Sequence, residues 1–486
     1  MITRIRAAYV IGYADGDHQI LPDAELVHED DRILFVGRDY AGHVDVEVDA
    51  GSAILAPGFV DLNALADIDH ALFDSWQDLD LVRGLSWSEA YLRDHGPVFT
   101  REEETFRRRF AISQLLRNGI TTMMPIAAET YKVWCEDYQD MADTAGVVAE
   151  AGIRAYLGPS YRTAVPYTDG RASHHHVDEA KGLDGLAQAV RFIEDFDGAQ
   201  GGMIRGALLP ARIETQTEQT LRLTRRHADE LGVPVRLHAT QGLYEMEQIF
   251  RRTGMRSLPY LDSLGFLAEK TFIPHAWTVP GHPLMPEKYG TGEDIALMAA
   301  SGASVLWCPI PAGHYAHTLH TYDSYRAQGV RIVLGTDSAP PNMIKAMDMA
   351  MIMMKTATGD RTAAAPADLF RSATLDPAEA LGREDLGRLS PGAQADYIVV
   401  DLTAGHIGPH LDPIRTLVMN SDGRDITRVV VAGRTVVEDR RLLTIDEDGL
   451  LEPAQRFLEK YVASHTRSDH ARRTVAQLQP PSFPIG

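Results

Sequence analysis

Two stretches of strand-like sequence end in a residue that could do chemistry. Residues 233–237 are mainly apolar and run directly into His238. Residues 331–336 have the same character and end at Asp337. In a barrel of alternating strands and helices, the carboxyl ends of the strands form the active face. A histidine and an aspartate at that face predict either metal ligands or a pair that transfers protons.

A histidine-rich segment follows a further strand-like run, residues 304–308. It spans residues 314–322, and at helical spacing His314 and His317 share one face. Because the segment follows the end of that run, it falls over the same predicted active face. We therefore expect His314 and His317 to contact the substrate.

An acidic stretch that contains a tryptophan covers residues 67–80. Its carboxylates predict an acidic rim that attracts a cationic or amine-bearing substrate, although a solvated loop explains them equally well. Trp76 would supply an apolar or stacking wall to the substrate, the alternative being ordinary packing. The acidic residues of this stretch are Asp67, Asp69, Asp74, Asp78 and Asp80.

The elements that must position these residues alternate along the chain. Between residues 57 and 385, short apolar runs are followed by longer helical patterns, as expected of repeated βα units. The predicted fold class is α/β, a distorted (β/α)8 TIM barrel with a small β-sandwich domain formed by both terminal segments. Residues 1–56 and 386–445 have strand character and would build the sandwich, and residues 446–486 would form a C-terminal helix and tail.

Composition narrows the classes of partner. The 486 residues are 44% hydrophobic, and the formal net charge of −21 argues against binding to nucleic acid or to an anionic membrane surface. No apolar run approaches the roughly 20 residues needed to span a bilayer. Cys135 and Cys308 are the only cysteines and lie far apart in the sequence. These features predict a soluble protein of a reducing cytoplasm, with a small molecule as its partner.

Five segments, in order, resemble the amidohydrolase superfamily. Residues 56–62 look like the entry to the first strand of its barrel, and residues 386–396 look like the return into its β-sandwich. Between them, the sequences around His238, His275 and Asp337 resemble the ends of strands five, six and eight. Spacing and order are closest to the branch that contains triazine hydrolases and purine or cytosine deaminases.

The chain departs from that family at two positions. The first strand of the family ends in His-x-His, which holds the catalytic metal, whereas Asn63 and Leu65 stand here. A leucine has no lone pair to offer, and an asparagine amide oxygen is a poor ligand for a transition metal. Many members also carry a glutamate three residues after the strand-five histidine, but this chain has Gln241, which cannot titrate. We expect Asn63 and Gln241 to bind and orient the substrate instead.

The resemblance implies hydrolysis of a non-peptide carbon–nitrogen bond in a small molecule, such as an amide, an amidine or an aminated heterocycle. His275 and Asp337 are the expected proton-handling centre, with His238 as a ligand or a hydrogen-bond donor. If a cofactor binds, it is a single divalent transition metal (Zn, Fe or Mn) held by these three residues. Two alternatives stay open: a metal-free lyase or isomerase that uses His275 and Asp337, and a non-catalytic relative that binds a small molecule. Members of this branch are commonly dimers or larger, so a homo-oligomer is expected.

Overall fold

The computed structural model describes residues 1–68, 87–94, 96–126, 132–478 and 480–486. Its strands, in chain order, are β1 (Ile2–Ala14), β2 (Asp17–Glu29), β3 (Arg32–Gly37), β4 (Val46–Asp49), β5 (Ala53–Pro57), β6 (Phe59–Ala64), β7 (Ile120–Pro125), β8 (Arg154–Leu157), β9 (Ser160–Tyr161), β10 (Ala164–Thr168), β11 (Ser173–Val177), β12 (Ile204–Gly206), β13 (Leu209–Pro210), β14 (Val235–Arg236), β15 (Thr271–Pro274), β16 (Ser304–Trp307), β17 (Ile332–Leu334), β18 (Tyr397–Asp401), β19 (Ile426–Val431), β20 (Arg434–Glu438) and β21 (Arg441–Leu442).

Helices fill most of the connections between these strands. In chain order they are α1 (Glu89–Asp94), α2 (Arg101–Arg117), α3 (Tyr138–Ala151), α4 (Glu179–Phe196), α5 (Ala199–Gly202), α6 (Glu218–Leu231), α7 (Leu243–Thr253), α8 (Ser257–Ser263), α9 (Asp294–Ser301), α10 (Pro309–His314), α11 (Tyr322–Ala327), α12 (Met343–Thr358), α13 (Pro366–Ala373), α14 (Leu375–Ala380), α15 (Pro413–Asn420), α16 (Leu451–Ser468) and α17 (Val475–Leu478). Short 3-10 turns occupy Ile213–Thr215, Glu287–Tyr289 and Gly423–Asp425.

Two parallel four-stranded sheets carry the central part of the fold. One has the order β12-β8-β7-β6 and the other has the order β14-β15-β16-β17. The sheets meet on one side at a parallel bridge between Leu208 and Val235. On the other side, the backbone N–H of Asp337 donates to the carbonyl oxygen of Asn63 at 2.9 Å. The result is a TIM-barrel-like α/β domain, while the closure of all the strands into one continuous barrel stays a prediction.

The strands β6 and β7 show why these segments form the interior of the domain. Every residue of both strands is buried, as expected of parallel strands that are covered on both faces. The helix α2 that precedes β7 begins at a capping box. The side chain of Thr100 accepts from the backbone N–H of Glu103, whose carboxylate accepts in turn from the N–H of Thr100. A helix start fixed in this way directs the chain from β6 back to the parallel strand β7.

Both ends of the chain contribute to a third sheet. β5 pairs antiparallel with β18, with Pro57 opposite Tyr397. The other strands continue on either side in the order β21-β20-β19-β18-β5-β1-β2-β3, and β4 pairs with β1. The arrangement of this sheet as a two-layered β-sandwich, and the domain boundaries predicted at residues 56, 385 and 445, stay predictions.

The helix α16 near the C-terminus packs against α2. The rings of Phe457 and Phe99 stack with their centroids 3.9 Å apart and their planes 9° from parallel. Lys460 pairs with Glu103 at 2.7 Å beside them. Helix α16 therefore lies against the barrel-like domain. Within the described ranges, no helix combines the length and apolarity that a membrane span needs.

Candidate active site

Three residues from three strand ends of one sheet converge at one point. His238 follows β14, His275 directly follows β15, and Asp337 lies just beyond β17. One nitrogen or oxygen atom from each side chain lies within 4.8 Å of the other two. The Nε2 of His275 is 3.7 Å from Oδ2 of Asp337, and the two imidazole rings have centroids 5.6 Å apart. The fold therefore brings together the three residues that the sequence predicted to carry the chemistry.

Two of these residues have an unusual backbone conformation. His275 has a φ of 66° and Asp337 a φ of 55°, in the left-handed region that residues other than glycine rarely adopt. Backbone hydrogen bonds to neighbouring strands hold both residues in place. The N–H of His275 donates to the carbonyl oxygen of Leu306 at 2.8 Å, and the N–H of Asp337 donates to the carbonyl oxygen of Asn63. Such strain costs roughly 1–3 kcal/mol per residue and is concentrated at functional sites in proteins.

Both histidines are in the form that can ligate a metal. The Nδ1 of His238 lies 3.1 Å from the carbonyl oxygen of Ala211, which can only accept, so Nδ1 carries the proton and Nε2 keeps its lone pair. Burial and the nearby Arg212 guanidinium hold the pKa of His238 well below its usual value. Burial also lowers the pKa of His275 to about 3, even though Asp337 opposes the shift. Both rings are therefore neutral near pH 7.

Asn63 orients the carboxylate of Asp337. Its Nδ2 donates to Oδ1 of Asp337 at 2.8 Å and to the sulfur of Cys308 at 3.4 Å. Its Oδ1 is buried and has no hydrogen-bond partner among the described residues. Leu65 is 2% exposed and offers no polar atom to the site. The first strand thus provides an amide to this site where the resemblance implies metal-binding histidines.

Gln241 and Glu245 have different tasks in the loop after β14. The amide oxygen of Gln241 accepts a hydrogen bond from the guanidinium of Arg212. The carboxylate of Glu245 accepts from the backbone N–H groups of Thr240 at 2.9 Å and Gln241 at 2.8 Å, and also from the hydroxyl of Ser257. Glu245 therefore holds the loop, and its pKa is raised by burial. It does not replace the glutamate that Gln241 displaces.

Two buried charged residues that the sequence patterns did not predict, Asp61 and Arg236, hydrogen-bond the strands around the site. Asp61 accepts from the backbone N–H of Asn63 at 3.0 Å and from the hydroxyl of Thr336 at 2.6 Å, so it joins the first strand to the last. Its burial raises its pKa to about 6. Arg236 donates to the carbonyl oxygens at the ends of β6 and β7, those of Leu62, Met124 and Pro125. A charged residue inside an otherwise apolar run was the available signal for both.

The other predicted substrate-binding residues are His314, His317 and Trp76, and the two histidines differ in their exposure. His317 is half-buried and stacks on Trp277, with ring centroids 4.8 Å apart and planes 28° from parallel. His314 is exposed at the end of α10. Trp76 falls outside the described residues, as do four of the five aspartates of its stretch. The fifth, Asp67, is 8% exposed and pairs with Arg107 at 2.8 Å.

A cavity of about 1200 Å³ includes Arg212 in its wall, whereas His238, His275 and Asp337 do not line it. Arg212 belongs to its wall and also binds Gln241, so it joins the cavity to the site. Helix α16 and the residues after it contribute part of the wall, which the sequence did not predict. Its described charged side chains are mostly cationic although the chain is acidic: Arg162, Arg171, Arg212, Arg251, Lys288 and Arg473, against Glu214 and Glu247.

Comparisons with known sequences cover nearly the whole chain. The model of the Amidohydrolase family matches residues 54–436. The 5-methylthioadenosine/S-adenosylhomocysteine deaminase of Natronomonas pharaonis is 29% identical over 456 residues, which are 91% of this chain and 94% of that protein. The 5'-deoxyadenosine deaminase of Methanosarcina barkeri is 26% identical over 467 residues, 94% of this chain and 98% of that protein.

Solved structures show the same fold. An adenosine deaminase from Xanthomonas campestris with bound zinc matches with a TM-score of 0.73 and 23% identity, over 94% of this chain and 98% of that one. A glutamate-to-glutamine variant of the atrazine chlorohydrolase of Arthrobacter aurescens TC1, complexed with zinc and atraton, matches with a TM-score of 0.77 and 20% identity, over 94% and 99%. The family match together with the deaminase relatives identifies the chain as a member of the amidohydrolase family and a hydrolase of carbon–nitrogen bonds other than peptide bonds.

Proposed function

We propose that this enzyme removes an amino group from an aminated heterocycle of a small molecule by hydrolysis, releasing ammonia. The convergence of His238, His275 and Asp337 at three strand ends carries the proposal. Relatives named as deaminases of 5-methylthioadenosine and of 5'-deoxyadenosine support it, since both names specify an adenine ring that bears an amino group. An amine-bearing substrate agrees with the class expected from the sequence.

The three converging residues fit a single divalent transition metal. Two neutral imidazoles and one carboxylate are a donor set that zinc accepts, with a further position left for water or substrate. The Nε2 of His275 is buried without a hydrogen-bond partner in the described chain, as expected of an atom that awaits a ligand. When bound, a zinc, iron or manganese ion would supply a Lewis acid and make water acidic enough to attack. His238, His275 and Asp337 would hold it.

Proton transfer then falls to Asp337. Gln241 cannot titrate, and the carboxylate of Glu245 is engaged by the loop backbone. The two oxygens of Asp337 differ, because Oδ1 accepts from Asn63 whereas Oδ2 lies near His275. A carboxylate oriented in this way can accept a proton from the attacking water and pass it to the leaving amine. The unpaired Oδ1 of Asn63 is an acceptor for an N–H of the substrate.

The test is ammonia release from a panel of aminated purines, pyrimidines and triazines. We expect turnover of at least one class by the wild-type protein and a loss of at least about 1000-fold in Asp337→Asn, because an amide cannot accept the proton. The matched control is Asp412→Asn at the N-cap of α15, which is not one of the converging residues and should retain wild-type turnover. Release of ammonia from no member of the panel, or full activity of Asp337→Asn, would overturn the proposal.

We also propose that the protein works in a reducing compartment and forms a homo-oligomer. Cys135 and Cys308 are buried and are the only cysteines of the sequence, in no CxxC arrangement, which supports a reducing compartment such as the cytoplasm. A homo-oligomer is proposed from the family branch alone. Sedimentation of the purified protein at several concentrations would measure the assembly directly.

A further inference from the structure

Two loops beside His275 contain four buried polar atoms without partners. Trp277 Nε1 and Thr278 Oγ1 lie in the loop after β15, and His317 Nδ1 and Thr321 Oγ1 lie in the loop after β16. None of these atoms has a hydrogen-bond partner in the described part of the chain. Buried polar groups in proteins are nearly always paired, so four such atoms on adjoining loops indicate a partner from outside the chain.

The loops themselves are firmly held, so they cannot easily rearrange to satisfy these atoms. The backbone N–H groups of Trp277 and Thr278 both donate to the carbonyl oxygen of Thr240, at 3.0 and 3.1 Å. His282 bridges the two loops, because its Nε2 lies 2.9 Å from the carbonyl oxygen of Thr318 while its Nδ1 accepts from the N–H of Leu284. The unpaired side-chain atoms are therefore presented on a fixed frame.

The rings in these loops form an aromatic wall. Trp277 is 7% exposed and stacks on His317, and its ring centroid is 4.9 Å from that of His282. The wall follows His275 by two residues, so it adjoins the reacting centre. An indole N–H can only donate, so the atom that pairs with Trp277 must be an acceptor. The hydroxyls of Thr278 and Thr321 can donate or accept, and they place no such restriction on the ligand.

We propose that Trp277 and His317 form a subsite that recognises the substrate ring through an acceptor atom, a pyridine-type nitrogen or a carbonyl oxygen, bound to the indole N–H. This assignment rests on the proposed function and narrows it to heterocycles that present a hydrogen-bond acceptor to the indole N–H. The threonine hydroxyls and Nδ1 of His317 complete the polar edge. A site that hydrogen-bonds such an acceptor rejects a ring that lacks it, because its own buried donor is then left unpaired.

The experiment is isothermal titration calorimetry with adenosine and its 1-deaza, 3-deaza and 7-deaza analogues, in which one ring nitrogen at a time becomes C–H. The titrations are done in chelator, so that no ligand is hydrolysed while its binding is measured. We expect one analogue to bind the wild-type protein about 10- to 100-fold more weakly than adenosine, the loss typical of a buried donor left unpaired. In Trp277→Phe, which keeps a ring but no N–H, adenosine and that analogue should bind equally. The matched control, Trp134→Phe, should retain the wild-type preference.

Each other result has a definite meaning. Equal binding of all four compounds to the wild-type protein would overturn the subsite, since the four atoms would then be paired by water alone. An undiminished preference in Trp277→Phe would overturn it as well, as would a failure of adenosine to bind. Binding with the expected preference, but no ammonia release by the same protein assayed without chelator, would refute the proposed reaction and leave the subsite standing. His317→Ala, which removes the stacking partner, should weaken adenosine and all its analogues by a similar factor.

Discussion

At the scale of single residues, the site differs from the expected one because Asn63 and Leu65 occupy the positions where the resemblance implies two metal-binding histidines. Asn63 lies 274 positions before Asp337 in the sequence, yet its amide donates to that carboxylate at 2.8 Å. The sequence could show that a histidine was missing, but the new partner of the asparagine depends on how the first and last strands of the domain meet. The hydrogen-bond partner of Asn63 therefore became clear only from the structure.

Asn63→Ala should lower kcat by about 10- to 100-fold, because the carboxylate of Asp337 loses the donor that orients it. The change in the free energy of unfolding should be much smaller than the change in the activation free energy that the loss of kcat represents. The substitution is small, and it also removes the unpaired Oδ1. Steady-state kinetics and thermal unfolding measure the two quantities. Asn420→Ala, at the exposed end of α15, is the control for kinetics. An unchanged kcat in Asn63→Ala would refute the orienting role.

The buried carboxyl of Asp61 should make stability depend on pH. Its pKa is raised from 3.8 to about 6 by burial, so the folded protein binds this proton more tightly than the unfolded chain. Its contribution to stability is therefore fully present below about pH 4 and is lost as pH rises through 6, by on the order of 3 kcal/mol. Asp61→Asn should have a flatter profile of melting temperature between pH 4 and 7, measured after chelation. Parallel profiles of the two proteins would contradict this assignment.

At the scale of elements, the strand ends were predictable and the loops beyond them were not. The apolar runs that end at His238 and Asp337 can be recognised in the sequence, because a buried parallel strand is apolar on both faces. The stacking of Trp277 on His317 joins two different loops, and no local pattern specifies such a pair. Glu245 likewise fixes its loop by accepting from the N–H groups of Thr240 and Gln241, which no sequence motif predicted.

Glu245→Ala should destabilise the protein by about 2–4 kcal/mol, because the N–H groups of Thr240 and Gln241 and the hydroxyl of Ser257 lose their acceptor. Chemical denaturation followed by circular dichroism measures the loss. Glu247→Ala is the matched control on the same helix, since its carboxylate pairs with Arg251 at the surface and should contribute less than about 1 kcal/mol. Equal stabilities of the two variants would show that the loop does not depend on Glu245.

At the scale of the whole molecule, segments distant in sequence complete the fold and the cavity. The terminal strands share one sheet, and α16 and the residues after it form part of the cavity wall. Terminal segments with strand character were visible in the composition of each end. The contribution of the C-terminal segment to the cavity was not, because its polar residues have no motif and acquire their place through tertiary contacts, such as the hydrogen bond from the N–H of Ser88 to the carbonyl oxygen of Ser468.

Phe457→Ala should lower the free energy of unfolding by about 3–5 kcal/mol, since the ring is 4% exposed and stacks on Phe99. Leu451→Ala, on the same helix but 75% exposed, should change it by less than about 0.5 kcal/mol. Both values come from denaturant titrations of the full chain. If Phe457→Ala were as stable as Leu451→Ala, α16 would not be docked as described.

Elemental mass spectrometry of the untagged protein tests most directly whether His238, His275 and Asp337 form the centre of a metal-dependent hydrolase. We predict close to one equivalent of zinc, iron or manganese per chain, with loss of both metal and activity on chelation and recovery of both on adding the ion back. His275→Ala should hold less than about a tenth of an equivalent. A wild-type protein that contains no metal, takes up none and remains active in chelator would contradict the claim.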